Sequence, residues 1–219
     1  IFILLFLLPA LVFSQTKKNI TLEDIWLKGT FSPKGFYGFN FMNNGLYYTE
    51  VKDNALLKKE VKTGNIVSTL INDGDITYEQ QKVNLGEFYF SDDESKIIIR
   101  ADNENIYRRS VKSYVYVYEL ATKKTWKLST EKVLHPTFNP QGNKVAYVKT
   151  DNNIYIYDLT TSKETAVTND GLKNNIINGN CDWVYEEEFE FSKAFQWNAT
   201  GDYIAYYKRD YVKKESDRM

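Results

Sequence analysis

Four carboxylates crowd together late in this chain. Glu186, Glu187 and Glu188 form one run, Glu190 lies beside them, and Trp183, Tyr185, Phe189 and Phe191 flank them. A solvated acidic run does not usually sit among four large aromatics. In a strand, neighbouring side chains point to opposite faces, so two adjacent carboxylates could not share one ligand. In a helical turn they stand ~100° apart and can converge. Converged carboxylates repel unless a cation sits between them. A primary ammonium, with three donors, meets that need. An acidic turn in water is the alternative, and the residues alone leave both open.

Little else in the chain could do covalent chemistry. No Gly-x-Ser-x-Gly pentapeptide is present to carry a nucleophilic serine. The single histidine, His135, lies in Val133-Leu-His-Pro136 and reads as structural. Cys181, next to the acidic run, has no evident base and reads as a semi-buried structural thiol. A lone cysteine also excludes an intrachain disulfide and a multi-cysteine zinc site. No catalytic residue, metal or cofactor is expected in this stretch. The 28 basic and 29 acidic residues leave a net charge of −1, without the basic surplus that nucleic-acid binding needs. Lys208-Arg-Asp210 and Lys213-Lys-Glu215 are mixed in sign and read as solvated loop.

The elements that must position the acids are strands. Lys96-Ile-Ile-Ile-Arg100, Tyr114-Val-Tyr-Val-Tyr118, Lys144-Val-Ala-Tyr-Val148 and Ile154-Tyr-Ile-Tyr157 are short runs rich in Tyr, Val and Ile. The tyrosine ladders read as packing. One short helix is expected near Leu22–Trp26. An aromatic, a turn and a strand recur at Phe41, Phe90, Phe138 and Trp197, with spacings of 49, 48 and 59 residues. A second element, strand–turn–strand, closes each unit at Lys59-Glu-Val-Lys-Thr, Tyr118-Glu-Leu-Ala-Thr and Tyr157-Asp-Leu-Thr-Thr. A period near 50 with about four strands each predicts β-propeller blades. About four blades fit, the last stopping after its second strand. The sequence therefore reads as the front part of a larger propeller, because an unfinished blade would leave an open edge.

Two segments break the repeat, and function is sought in such departures. Phe90 to Leu120 spans 30 residues, whereas the equivalent Phe138 to Leu159 spans 21; the excess surrounds Ile106-Tyr-Arg-Arg-Ser110. The second excess, between Phe138 and Trp197, contains the acidic run.

The N-terminus reads as a targeting segment, with a retained membrane anchor or a buried core helix or strand as the alternatives. Residues 1–13 are almost continuously apolar, too short for a bilayer span of ~20 residues, and Val12 and Ser14 suit signal-peptidase cleavage before Gln15. The missing Met and basic n-region lead to the expectation that the true start lies upstream. The reading divides the chain into a signal peptide at 1–14, a lead-in at 15–38 and propeller at 39–219.

Asp182-Trp-Val-Tyr-Glu-Glu-Glu188 resembles, nearly residue for residue, the signature of the dipeptidyl peptidase IV family of prolyl oligopeptidase-type serine peptidases. In that family the last two glutamates of the motif grip the free N-terminal amine of the substrate, which implies that role for Glu187 and Glu188. Tyr107-Arg-Arg-Ser110, followed by Val-Tyr-Glu-Leu120, is similar to the family's arginine-bearing segment. There an arginine contacts a backbone carbonyl of the bound peptide; the ungapped match implies Arg108, with Arg109 the alternative. Leu22-Glu-Asp-Ile and Thr30-Phe-Ser-Pro look like bacterial members. The resemblance runs from about Thr21 to the chain's end.

It implies an all-β, eight-bladed propeller, of which about four blades are here, capping an α/β-hydrolase domain that is absent. The expected protein is an exported serine-type dipeptidyl peptidase, periplasmic or extracellular and either free or membrane-associated. It would release N-terminal X-Pro or X-Ala dipeptides, and this stretch, without the catalytic triad, would be inactive alone. Its implied partners are peptides with a free N-terminus and its own hydrolase domain; homodimers are common in the family. Two rival readings are an inactive peptidase homologue and a non-catalytic exported propeller that binds protein or glycan.

Overall fold

The computed structural model describes residues 19–33, 35 and 37–211; the signal peptide expected at 1–14 and Lys213-Lys-Glu215 lie outside them. The chain divides into two units, Ile1–Gly35 and Phe36–Met219. In the first, the expected short helix is α1 (Leu22–Trp26). The Thr21 hydroxyl accepts from the Asp24 amide at 3.2 Å, and the Asp24 carboxylate accepts from the Thr21 amide at 3.2 Å. Each side chain satisfies an amide that the helix cannot.

The second unit is built of antiparallel blades of a β-propeller. The first blade comprises β1 (Asn40–Phe41), β2 (Tyr47–Lys52), β3 (Ala55–Glu60) and β4 (Ile66–Ile71). A small hairpin, β5 (Thr77–Tyr78) and β6 (Gln81–Lys82), leads to the second: β7 (Glu87–Phe90), β8 (Lys96–Asn105), β9 (Val111–Glu119) and β10 (Thr125–Lys127). The third is β11 (Leu134–Phe138), β12 (Lys144–Val148), β13 (Ile154–Asp158) and β14 (Lys163–Ala166). Each pairs in chain order. Then follow β15 (Ile176–Asn178), helix α2 (Trp183–Phe189), β16 (Phe195–Trp197), β17 (Ile204–Tyr206) and β18 (Lys208–Asp210).

The turn after each aromatic anchor is the same structure four times. Met42, Ser91, Asn139 and Asn198 donate their amides to the carbonyls of Tyr47, Lys96, Lys144 and Tyr203, each at 2.9 Å. The turn needs one left-handed residue, and Gly45, Gly142 and Gly201 supply it with φ of 67°, 65° and 69°. In the second blade Glu94 stands there at 57°. Its carboxylate accepts from the Asn43 amide of the first blade at 2.6 Å, which ties the two turns together.

Three hydrophobic clusters fill the gaps between successive sheets. Leu56 and Ile71 of the first blade meet Phe88, Ile97, Ile99 and Tyr118 of the second. Ile98, Val115 and Val117 use the opposite face to meet Val145 and Tyr147 of the third. Ala146, Val148 and Ile154 then meet Phe195 and Trp197. Side chains alternate faces along a strand. The unbroken apolar runs Ile97–Ile99 and Val145–Val148 are therefore those of strands covered on both faces, whereas β14 is exposed throughout.

One expectation is corrected. Lys208–Asp210 is not solvated loop: it is β18, paired antiparallel with β15. Among the described residues β15 is its one partner, and only Lys208 of the three is exposed. Arg209 is turned inward, with its side chain 11% exposed.

Candidate functional site

The nine extra residues of the second blade lengthen one hairpin. Strands β8 and β9 pair in regular register from Lys96–Glu119 to Ala101–Tyr114, shift at a bulge, and pair again at Glu104–Lys112 and Asn105–Val111. Asp102, with φ of 52°, lies within the shift. Bulges re-aim strands, and here the hairpin tip at residues 106–110 is carried beyond the blade. Arg100 braces its base. It donates to Ser113 Oγ at 3.1 Å and to the Val111 carbonyl at 2.7 Å, and pairs with Glu87 at 3.1 Å.

The second departure is a closed excursion. Asn180 and Lys193 form an antiparallel bridge, so residues 181–192 leave and return at one point. Gly179, with φ of 69°, sits where an added Cβ would come within 2.7 Å of Ile154 Cδ1. That close approach of backbone to core makes glycine the residue that fits. Within the excursion, Asp182 caps α2 by accepting from the Tyr185 amide at 3.0 Å. Glu190 ends it in the left-handed region at φ 53°. A seven-residue helix is not stable by itself in water, so outside contacts must hold it. Arg209 stacks its guanidinium 3.1 Å from the centroid of the Tyr185 ring, and reaches the Cys181 sulfur and Asp182 carboxylate, each at 3.9 Å.

The acids are thus on a helix, which settles the choice between strand and turn, and they divide into different environments. Glu186 is fully buried. Its carboxylate accepts from the Arg109 amide, the Ser110 amide at 2.9 Å and the Ser110 hydroxyl. Burial works to raise this carboxyl, but the Ser110 hydroxyl and the two amides outweigh it and hold it below the usual carboxylate range. Glu187 is half-buried and stands 3.7 Å from the Arg108 guanidinium. Glu188, next along the helix, is exposed and makes no ion pair among the described residues. Glu190 pairs with Arg109 at 2.7 Å.

The structure therefore brings Arg108 to Glu187, joining the two departures from the repeat. The aromatics beside the acids are not core. Trp183 and Phe189 are 54% and 66% exposed, and Tyr185 packs on Phe189 at 5.3 Å. Beside the hairpin tip a cavity of about 500 Å³ is lined by Arg100, Arg109, His135, Ser192 and Lys193 among others. His135 is half-buried, its Nε2 2.9 Å from Asn180 Oδ1. Burial, against that hydrogen bond, pushes its pKa down to about 4. Among the described residues the imidazole's hydrogen-bond partner is the Asn180 side-chain amide and not a serine, in keeping with a structural role. Cys181 is buried, and burial pushes its thiol up, so it is not a ready nucleophile.

Sequence reasoning missed Ser110, Arg209 and the separate state of Glu186. No periodic signal marks Glu186, because it is a charged residue where a buried position would ordinarily be apolar.

The chain matches known proteins along this stretch. Residues 91–213 match the family described as the dipeptidyl peptidase IV (DPP IV) N-terminal region. The dipeptidyl aminopeptidase B of Saccharomyces cerevisiae is 37% identical over 145 residues, covering 65% of this chain and 17% of that protein. The prolyl endopeptidase FAP of Homo sapiens is 30% identical over 195 residues, covering 88% of this chain and 25% of that protein. The crystal structure of Porphyromonas gingivalis dipeptidyl peptidase 4 superposes with a TM-score of 0.78 at 33% identity, over 89% of this chain and 28% of that one. The chain thus spans a quarter or less of the length of these two curated relatives.

Proposed function

This chain belongs to the dipeptidyl peptidase IV family, within the family's N-terminal region, and on that premise we propose that it is the substrate-recognition propeller of an exported serine-type dipeptidyl peptidase. Glu187 and Glu188 hold the N-terminal ammonium of a peptide, and Arg108 receives a backbone carbonyl of the same peptide. The nucleophile and its base come from a hydrolase domain outside this chain. The observation that carries the reading is the 3.7 Å approach of Arg108 to Glu187. A cation donor and an anion acceptor stand together there, matched to the carbonyl and ammonium ends of one peptide unit.

Such a site measures length. A two-residue extended segment spans about 7 Å, so fixing the amine presents the second peptide bond to the serine. A hydrogen bond to a charged group contributes about 1.5–3 kcal/mol, and 1.4 kcal/mol is tenfold. In the full-length enzyme, Glu187→Ala or Glu188→Ala lowers kcat/KM on an X-Pro chromogenic substrate by roughly ten- to several-hundred-fold. Acetylating the substrate's amine costs at least as much. If both variants keep wild-type kcat/KM, the assignment is wrong. Arg108→Ala raises KM but leaves Tm within about 1 °C, because this largely exposed side chain has Glu187 as its one ion-pair partner among the described residues.

A second reading, cleavage inside chains, is favoured by the likeness over 88% of this chain to a relative named a prolyl endopeptidase. It predicts that acetylated peptides are cut as fast as free ones.

A further inference from the structure

We propose that Glu186 is a positioning residue: its buried carboxylate ties the tip of the β8–β9 hairpin to α2, and so sets the distance of Arg108 from Glu187 and Glu188. The inference rests on the amine-binding reading above and assigns the third acid of the run a different task from its neighbours.

The hairpin tip and the helix are 76 residues apart in sequence at Ser110 and Glu186. No strand pairing joins them among the described residues. Three contacts between side chains and the opposite segment do. Arg108–Glu187 at 3.7 Å has an arginine 74% exposed, and Arg109–Glu190 at 2.7 Å has a glutamate 72% exposed. Exposed ion pairs are weak and screened by salt. The third contact is different. Glu186 is 0% exposed and Ser110 1% exposed, and one carboxylate takes two successive amides and a hydroxyl. Two adjacent amides held by one carboxylate fix the backbone orientation of residues 109 and 110, and Arg108 is the next residue. Removing the acceptor strands buried donors, which cannot be left unmade without loss. The same bonds take Glu186 out of contention as a ligand: its oxygens are occupied and enclosed, so a substrate ammonium meets only Glu187 and Glu188.

The test uses the full-length enzyme and a free-amine X-Pro chromogenic substrate. Glu186→Ala raises KM by about tenfold or more while kcat stays within about threefold, since the chemistry is elsewhere. Glu186→Gln recovers KM to within about threefold. Its amide oxygen keeps the two backbone donors, and the Ser110 hydroxyl turns to accept. In an Arg108→Ala background, Glu186→Ala raises KM by no more than about threefold, because the residue it positions is gone. A wild-type KM for Glu186→Ala overturns the proposal. So does an equal rise with and without Arg108, which would mean general loosening. Should Glu186→Ala fail to fold, Ser110→Ala removes the hydroxyl bond alone and carries the same comparison, with about a threefold rise in KM expected only when Arg108 is present. If Glu187→Ala and amine acetylation also change nothing, the amine site itself is refuted. If they cost activity and Glu186→Ala does not, only the positioning role is refuted.

Discussion

Single residues here are sorted by their surroundings, not by their type. Glu186, Glu187 and Glu188 are one chemical species three times. Only the Ser110 hydroxyl and the Arg109 and Ser110 amides distinguish the first. His135 shows the same principle in a measurable way. Its pKa of about 4, set chiefly by burial, lies below the ordinary value of 6.5. Between those values the unfolded chain takes up a proton that the folded chain refuses. His135 thus contributes stability that is complete above about pH 6.5 and is lost as pH falls through that window to about 4, to an extent of about 3 kcal/mol. Replacing His135 by Asn, which tolerates its left-handed φ of 55°, removes this loss. Thermal melts of the full-length protein at pH 4.5 and 7.5 check it: the wild type drops further between the two than the variant. An equal drop in both would show that the imidazole is not held neutral in the fold.

At the scale of elements, both parts of the site are short structures that depend on what touches them. Helix α2 has seven residues and one buried side chain, Glu186, so no apolar stripe anchors it. Its order comes from the Asp182 cap, the Arg209 stack on Tyr185, and the Glu186 clamp. Asp182→Ala removes the cap, at a cost of about 1 kcal/mol, and weakens substrate binding through α2. Asp182→Asn keeps the cap and recovers most of that binding, although the ion pair with Arg209 is lost. Steady-state KM for both variants is the measurement, and equal KM values would show that the cap does not order the helix. The hairpin is likewise legible only in part. Its extra length could be counted against the third blade, but the shift at Asp102 and the Arg100 brace that aim it could not. Both involve side-chain bonds across the hairpin that no periodicity marks: Arg100 with Val111, and Ser113 with Asn103.

At the largest scale, the second unit is a series of sheets whose described hydrophobic clusters lie between the blades. Ile97 belongs to the cluster between the first two blades and Ile98 to the next. Ile97→Ala leaves a void between blades and costs about 3 kcal/mol, whereas Lys163→Ala on exposed β14 stays within about 0.5 kcal/mol. Denaturation midpoints of the two variants separate the cases. The blades were readable in the sequence itself. Four anchors at near-regular spacing, three of them followed by glycine, describe a turn whose hydrogen bonds are local and so are encoded locally. The strand runs and the short helix at Leu22–Trp26 were readable for the same reason, as was the motif containing the acids. Tertiary structure alone decided that Lys208–Asp210 is a strand, that Arg209 turns inward, and that Glu186 is spent on Ser110 while Glu187 faces Arg108. The physical reason is distance along the chain. Periodicity and turn chemistry act over a few residues, but the fate of a charge is set by whichever donors the fold brings to it, here from 76 residues away.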